Sequence, residues 1–103
     1  MEGKKVFPKD KRYIINTIYD IIELQDGDLM LSDVTHGKVY YKLAMYGYEW
    51  ELIYTITTIS EIKSNVTLRL IGDRQDKEQE IRREFALLEA MLGGGAEVEI
   101  VDN

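Results

Sequence analysis

Residues Lys38 to Thr58 read KVYYKLAMYGYEWELIYTITT, and this segment constrains the architecture more than any other part of the chain. Apolar side chains occupy alternate positions on both sides of Gly47, which is the pattern of two β-strands that each bury one face. The parity of these positions changes across the glycine, from odd to even. A tight turn at Gly47-Tyr48 explains the change, because glycine at the first loop position suits a type II′ hairpin.

The position of this turn fixes which residues face each other in the predicted hairpin. The predicted pairs are Met45–Trp50, Leu43–Leu52, Tyr41–Tyr54 and Val39–Ile56. All of these side chains then share one face, and a slip of one residue would move them to the other face, so we expect the register to be well specified. A further strand from about Asn65 to Ile71 extends the meander, with Tyr54 opposite Leu70 and Ile56 opposite Leu68.

Two amphipathic segments flank the strands. The first is predicted to be a helix from about Lys9 to Gln25, with Asp10 as its N-cap and Gly27 as its C-terminal stop, because isoleucines recur there at helical spacing. The second is predicted to run from Asp73, as N-cap, to Leu92, where apolar residues again recur at helical spacing. The glycines Gly93-Gly94-Gly95 end it.

A strand at residues 4–7 and another at Leu29–Ser32 complete the element order (β)-α-β-β-β-β-α-(β). We therefore predict an α+β fold in two layers, in which an antiparallel meander of four strands, extending to five or six, packs against two helices. Residues 1–95 form a single domain in this interpretation, which suits a chain of 103 residues. Residues 96–103 are predicted to be an acidic C-terminal tail or an edge strand.

Composition narrows the classes of function. The net charge is −6, from 19 acidic and 13 basic residues, which argues against a protein that coats nucleic-acid phosphates. The chain has no cysteine, so disulfides, thiolate metal sites and cysteine nucleophiles are excluded. It contains no apolar run long enough to cross a bilayer, and its start lacks the apolar region of a signal peptide. We therefore expect a cytoplasmic protein that does not contact a membrane.

The order of elements resembles that of the TBP-like and START-like helix-grip group, in which a curved antiparallel sheet wraps a long C-terminal helix. The resemblance rests on the first helix, on residues Ser32 to Val39 that lead into the meander, and on the helix from Asp73 to Leu92. It covers most of the chain and is topological, with no diagnostic motif. Such a resemblance implies either an apolar ligand or DNA bound across the open face of the sheet, although a fold alone does not determine a function.

Polar residues of the types that carry out catalysis or bind metals are sparse. His36 is the only histidine, and it follows Asp33 by three residues in a predicted turn, with no serine in a nucleophile elbow. Glu49 and Glu51 share one side of a strand, on the hydrated outer face. The triplet Asp26-Gly27-Asp28 lacks the spacing of an EF-hand loop. We predict no catalytic residue, no metal site and no cofactor, and hence a protein that is not an enzyme.

Aromatic residues concentrate between positions 40 and 54, and their parity divides them between the two faces of the sheet. A candidate apolar pocket on the inner face, against the C-terminal helix, comprises Tyr41, Met45, Trp50, Tyr54, Phe85 and Met91. The outer face is more apolar than a hydrated face needs, and its candidate interface residues are Tyr40, Tyr46, Ile53, Ile59 and Ile71. Nucleic-acid binding on this face is disfavoured, because Glu49 and Glu51 share it.

The sequence thus predicts a small non-catalytic binding or interaction protein. The main hypothesis is that it associates with itself, as a homodimer, or with another protein, through the open face of the sheet or through an edge strand. The alternative hypothesis is a carrier of a small apolar ligand between the C-terminal helix and the sheet. A domain of this size buries a thin core, which leaves little room for a large enclosed ligand.

Overall fold

The computed structural model describes residues 1–45, 47–72, 76–93 and 97–101. Within these ranges the order of elements is β-α-β-β-β-β-α-β, and the predicted α+β architecture is confirmed. The strands are β1 (Glu2–Phe7), β2 (Asp28–Asp33), β3 (Lys38–Met45), β4 (Tyr48–Ser60), β5 (Lys63–Ile71) and β6 (Glu99–Val101), and the helices are α1 (Lys11–Leu24) and α2 (Lys77–Leu92). Three predictions concern residues outside the described ranges: the N-cap at Asp73, the interface residue Tyr46 and the helix stop at Gly94-Gly95.

The strands form one antiparallel sheet in the order β2-β3-β4-β5-β1-β6. The meander β2 to β5 is the part that local alternation predicts. The first strand of the chain then adds beside β5, and β6 pairs with it through Glu99 to Val101. Of the two alternatives for the C-terminal segment, the edge strand is therefore the one adopted by these residues. The ends of the sheet are β2 on one side and β6 on the other.

The predicted register of the meander is wrong by two residues, whereas the predicted faces are confirmed. The observed pairs are Met45–Tyr48, Leu43–Trp50, Tyr41–Leu52 and Val39–Tyr54 in the first hairpin, and Tyr54–Leu68 and Ile56–Val66 in the next. Tyr48 pairs with Met45 and is the first residue of β4, so the turn ends at Gly47, one residue earlier than predicted. Gly47 adopts a positive φ of 79° there. Since side chains alternate with a period of two, a shift of two preserves the face of every residue.

An aspartate lies at each end of helix α1, Asp10 as its N-cap and Asp26 after its last turn. The side chain of Asp10 accepts a hydrogen bond from the backbone N–H of Tyr13 at 2.8 Å, which confirms the predicted N-cap. The left-handed residue after the helix is Asp26, with φ of 58°, and not the predicted Gly27. Gly27 packs closely against the core, because a Cβ there would lie 3.0 Å from the ring of Tyr41. Helix α2 starts at Lys77, later than predicted, and ends at Leu92 as predicted.

Both helices pack on the same face of the sheet and enclose one apolar core. The sheet contributes Val39, Tyr41, Leu43, Trp50, Leu52, Tyr54, Ile56, Val66, Leu68 and Leu70, all of them buried. The isoleucine stripe of α1 and the apolar stripe of α2 cover these residues. Burying a side chain of this size contributes about 1.5–3 kcal/mol, so the core supplies the main driving force for folding. The opposite face of the sheet carries no helix from the described part of the chain.

Candidate functional site

A buried polar cluster lies between α2 and the sheet, where the core would otherwise be apolar. Its centre is Glu84 of α2, whose side chain is fully buried. The hydroxyl of Tyr54 donates a hydrogen bond to the Glu84 carboxylate at 2.8 Å, and the hydroxyl of Tyr41 donates a second one. The amide of Gln25, at the end of α1, donates a third at 2.9 Å. We call Glu84, Tyr41, Tyr54, Gln25 and Arg83 the buried cluster.

Arg83 closes the buried cluster at its outer side. Its guanidinium donates to Glu84 at 3.1 Å, to the amide oxygen of Gln25 at 2.6 Å and to Glu80. Burial disfavours its charge, but the hydrogen bond to Glu80 and the two neighbouring carboxylates outweigh that effect and raise the pKa of Arg83. Burial, and after it the charge of Glu84, also raises the pKa of Tyr41 and of Tyr54.

The buried cluster links four elements of the fold. Its donors come from β3, from β4, from the end of α1 and from α2 itself, and together they provide four hydrogen bonds to one carboxylate. A buried carboxylate is costly unless it is fully paired, so these bonds fix how α2 sits on the sheet. Neither of the two surface cavities described below is lined by Glu84. We therefore assign the buried cluster to stability and orientation of α2.

The prediction of site residues from the sequence missed Glu84, although a signal was present. Glu84 follows Ile81 by three positions and precedes Leu88 by four, which places it inside the apolar stripe of the second helix. A glutamate at such a position must be paired within the fold. The partners could not be read from the sequence, because Gln25 and Tyr41 are distant from Glu84 along the chain.

The six residues of the predicted apolar pocket do not share one environment. Four of them are buried in the core, namely Tyr41, Trp50, Tyr54 and Phe85. Met45 is half-buried at the end of β3, and Met91 is 46% exposed on α2. Tyr41 and Tyr54 stack with ring centroids 6.3 Å apart and direct their hydroxyls to Glu84, so this part of the interior is polar.

The predicted interface residues are distributed over the open face of the sheet. Tyr40 lies directly opposite Ile53, and Ile71 lies near them, opposite Glu51. Ile59 lies at the far end of β4, where it is 54% exposed. The hydroxyl of Tyr40 donates a hydrogen bond to Glu51, so polar contacts cross the same face. The described members of the set therefore form one small group and one separate residue.

His36 and Asp33 form a local pair in the turn between β2 and β3. The Nδ1 atom of His36 lies 2.7 Å from Oδ2 of Asp33, and the backbone N–H of His36 donates to Oδ1 at 3.1 Å. The backbone hydrogen bond, followed by the side-chain one, lowers the pKa of Asp33. Both side chains are accessible to solvent, at 74% and 40%. Across the described residues, no three His, Asp or Glu side chains are grouped so that they could hold a metal ion.

An exposed apolar segment occupies the edge strand β2. Leu29, Met30 and Leu31 follow one another and are 50%, 51% and 53% exposed. In the described part of the chain β2 pairs with β3 alone, so its other side is an open edge of the sheet. The register shifts between Leu29 and Leu31, which makes Met30 a bulge residue. The opposite edge is shorter, because β6 has three residues.

A cavity of about 320 Å³ lies beside this strand, between β2 and the end of α1. Tyr19, Ile22 and Leu29 provide its apolar wall, and Glu23 and Asp26 provide two carboxylates. The hydroxyl of Tyr19 forms a hydrogen bond with Ser32, which holds the tyrosine against the strand. We call Leu29, Met30 and Leu31, together with this cavity, the edge site. A second cavity, of about 340 Å³, lies on α2 near Glu97 and Val98.

Sequence reasoning predicted a strand at Leu29–Ser32 and named an edge strand as one route of association, but it did not assign these residues to an interface. The available signal was the run Leu29-Met30-Leu31, which breaks the alternation expected of a strand with one hydrated face. Which strand lies at the edge depends on the pairing of the whole sheet, and a local pattern does not determine it.

Comparison of the chain with protein families and with curated proteins gives no match. In the described ranges, no helix is both long enough and apolar enough to cross a membrane.

Proposed function

We propose that this chain is a non-catalytic interaction protein that binds an extended segment of another polypeptide as an additional strand along β2. The observation that carries the proposal is the exposure of Leu29, Met30 and Leu31 on an open sheet edge. Edge strands of monomeric proteins usually avoid such a run, because an open apolar edge pairs with other chains. An added strand would cover these side chains and hydrogen-bond the free backbone edge.

Charge favours a different chain over a second copy as the occupant. If two copies of β2 paired antiparallel over their full length, Asp28 of one copy would lie opposite Asp33 of the other. Like charges placed directly opposite destabilise a strand pair. Self-association through this edge or through the open sheet face, which the sequence predicts, is an outcome that the experiment below distinguishes.

We also infer a relationship to the helix-grip group, supported by the element order and by the placement of both helices on one face of an antiparallel sheet. The carrier of an apolar ligand stays a prediction, and the polar surroundings of Glu84 make the interior less suitable for such a ligand. The cytoplasmic location also stays a prediction.

The proposal can be tested by selecting binders from a displayed library of random linear peptides against the purified chain. We expect peptides of alternating pattern, and we expect Leu31→Lys to weaken their binding by at least about tenfold, because it places a charge in the strand interface. Fluorescence anisotropy measures the affinities. The matched control is Ile62→Lys, since Ile62 is 70% exposed but lies in the turn between β4 and β5.

The proposal fails if selected peptides bind Leu31→Lys and the wild type equally well, or if no peptide is selected. Sedimentation equilibrium of the chain alone identifies a second copy as the occupant. If the wild type forms a dimer that Leu31→Lys disrupts and Ile62→Lys does not, β2 is still the surface that accepts an added strand. The added strand then comes from a second copy of this chain and not from a different polypeptide.

A further inference from the structure

We propose that the segment bound along β2 is basic, and that one of its lysine or arginine side chains enters the cavity between β2 and the end of α1. This inference rests on the proposed function, because it specifies the chemistry of the strand that β2 accepts. The occupant is an extended peptide whose cationic side chains point to the helix side of the sheet and whose apolar side chains point to the open side.

The walls of the cavity suit a long cationic side chain. Tyr19, Ile22 and Leu29 form an apolar surface along which the aliphatic stem of a lysine or arginine can pack. Glu23 and Asp26 line the same cavity and offer carboxylates to the charged end. An apolar ligand would leave these two carboxylates against an uncharged surface, so the lining selects a cation with an apolar stem.

Within residues 1–45, 47–72, 76–93 and 97–101, no lysine or arginine forms an ion pair with the carboxylates of Glu23 and Asp26. From Tyr13 to Gly37 the sequence has five acidic residues and no lysine or arginine. On the neighbouring strand β3, Lys38 and Lys42 lie opposite Asp33 and Asp28 in the backbone register, and the ammonium group of Lys42 lies 3.7 Å from Glu49.

These two lysines lie on the other face. Lys38 and Lys42 alternate with Val39 and Tyr41, whose side chains are buried against the helices, so the lysine side chains project from the open face. They therefore do not neutralise the carboxylates of the cavity, which opens on the helix side. The acidic character of the edge site is concentrated on that side.

The alternation of a strand then specifies the pattern of the partner. Side chains of an added strand alternate between the two faces, so every second one points toward the cavity on the helix side. The intervening ones lie beside Leu31, whose partner Tyr40 belongs to the open face. On the helix side the added strand meets a cavity with an apolar wall and two carboxylates, and on the open side it meets the exposed Leu31. A segment that alternates basic and apolar residues fits both sides.

Three synthetic decapeptides test the inference: valine alternating with lysine, with serine, or with glutamate. Each carries an uncharged dye, and fluorescence anisotropy gives its affinity at low and at physiological salt. We expect the lysine peptide to bind at least about tenfold more tightly than the serine peptide, with a gap that narrows as salt rises, and the glutamate peptide to bind most weakly.

The double variant Glu23→Lys, Asp26→Asn should invert this order, so that the glutamate peptide binds more tightly than the lysine peptide. Asparagine is chosen at position 26 because it tolerates the left-handed conformation that Asp26 adopts. The control variant Glu61→Lys removes an exposed carboxylate in the turn between β4 and β5, and it should keep the order found for the wild type.

The inference is overturned if the three peptides bind the wild type equally, or if the double variant keeps the preference for lysine. Equal binding of the three peptides that is abolished by Leu31→Lys would leave the proposed function standing and remove only the basic partner. Binding of the lysine peptide that Leu31→Lys does not weaken would place the peptide elsewhere, and it would count against both proposals.

Discussion

The buried cluster and the edge site both reverse the usual distribution of polar and apolar residues. Glu84 is a charged residue with no exposure, and Leu31 is an apolar residue with 53% exposure. The difference lies in what surrounds them. The carboxylate of Glu84 receives all of its hydrogen bonds from its own chain, whereas β2 has no neighbour on its outer side within the described residues.

This difference separates stability from function. A buried charged residue such as Glu84, whose hydrogen bonds all come from its own chain, stabilises the fold. Its replacement should therefore lower the free energy of unfolding. An exposed apolar residue such as Leu31 contributes little to the stability of the fold. Its replacement should therefore lower the affinity for a binding partner.

The largest effect is expected at Glu84. Glu84→Leu should lower the free energy of unfolding by about 3–5 kcal/mol, because it leaves the buried hydroxyls of Tyr41 and Tyr54 without their acceptor and takes from Arg83 one of its two carboxylate partners. Glu84→Gln keeps an acceptor oxygen and should cost about 1–3 kcal/mol. Urea denaturation measures both values.

Glu78→Gln is the matched control on the same helix. Glu78 is exposed and pairs with Arg82 at 3.6 Å, so its replacement should change the free energy of unfolding by no more than about 0.5 kcal/mol. Equal losses for Glu84→Gln and Glu78→Gln would contradict the structural role of the buried cluster.

A smaller effect is expected at alkaline pH. The pKa of Tyr41 and that of Tyr54 are raised above the ordinary value of 10.0, first by burial and then by the charge of Glu84. Because the folded-state pKa exceeds the unfolded one, the stability that depends on these protonated hydroxyls is complete below about pH 10 and decreases as the pH rises further. Phenolate absorbance should show two of the seven tyrosines titrating only as the chain unfolds.

The double variant Tyr41→Phe, Tyr54→Phe checks the assignment of that pH dependence. It removes both titrating hydroxyls, so its stability should fall less steeply above about pH 10 than that of the wild type. An unchanged slope would show that other groups cause the alkaline loss.

The sequence predicts the parts of this structure that local periodicity controls. The alternation from Val39 to Ile56 gives the correct faces, and the helical stripes give both helices. The predicted register differs from the observed one by two residues because alternation cannot distinguish shifts of two, and the predicted turn includes Tyr48, which is the first residue of β4.

Neither unusual region could be derived in full, because each depends on contacts between distant segments. Glu84 meets Tyr41 and Gln25 only when α2 covers the sheet. Leu29, Met30 and Leu31 are exposed because β2 lies at the end of the strand order. Local patterns can show that a charged residue lies in an apolar stripe or that apolar residues interrupt the alternation of a strand. Only the assembled fold determines whether the chain itself pairs or covers those residues.

The most direct test of this account is the affinity of the valine–lysine peptide for Leu31→Lys, compared with the wild type and with Ile62→Lys, while urea denaturation monitors stability. The account predicts that Leu31→Lys weakens peptide binding by at least about tenfold and changes the free energy of unfolding by less than about 0.5 kcal/mol, as is usual for exposed sites. Ile62→Lys should change neither quantity appreciably. Wild-type affinity in a folded Leu31→Lys protein would contradict the assignment of β2 as the binding surface.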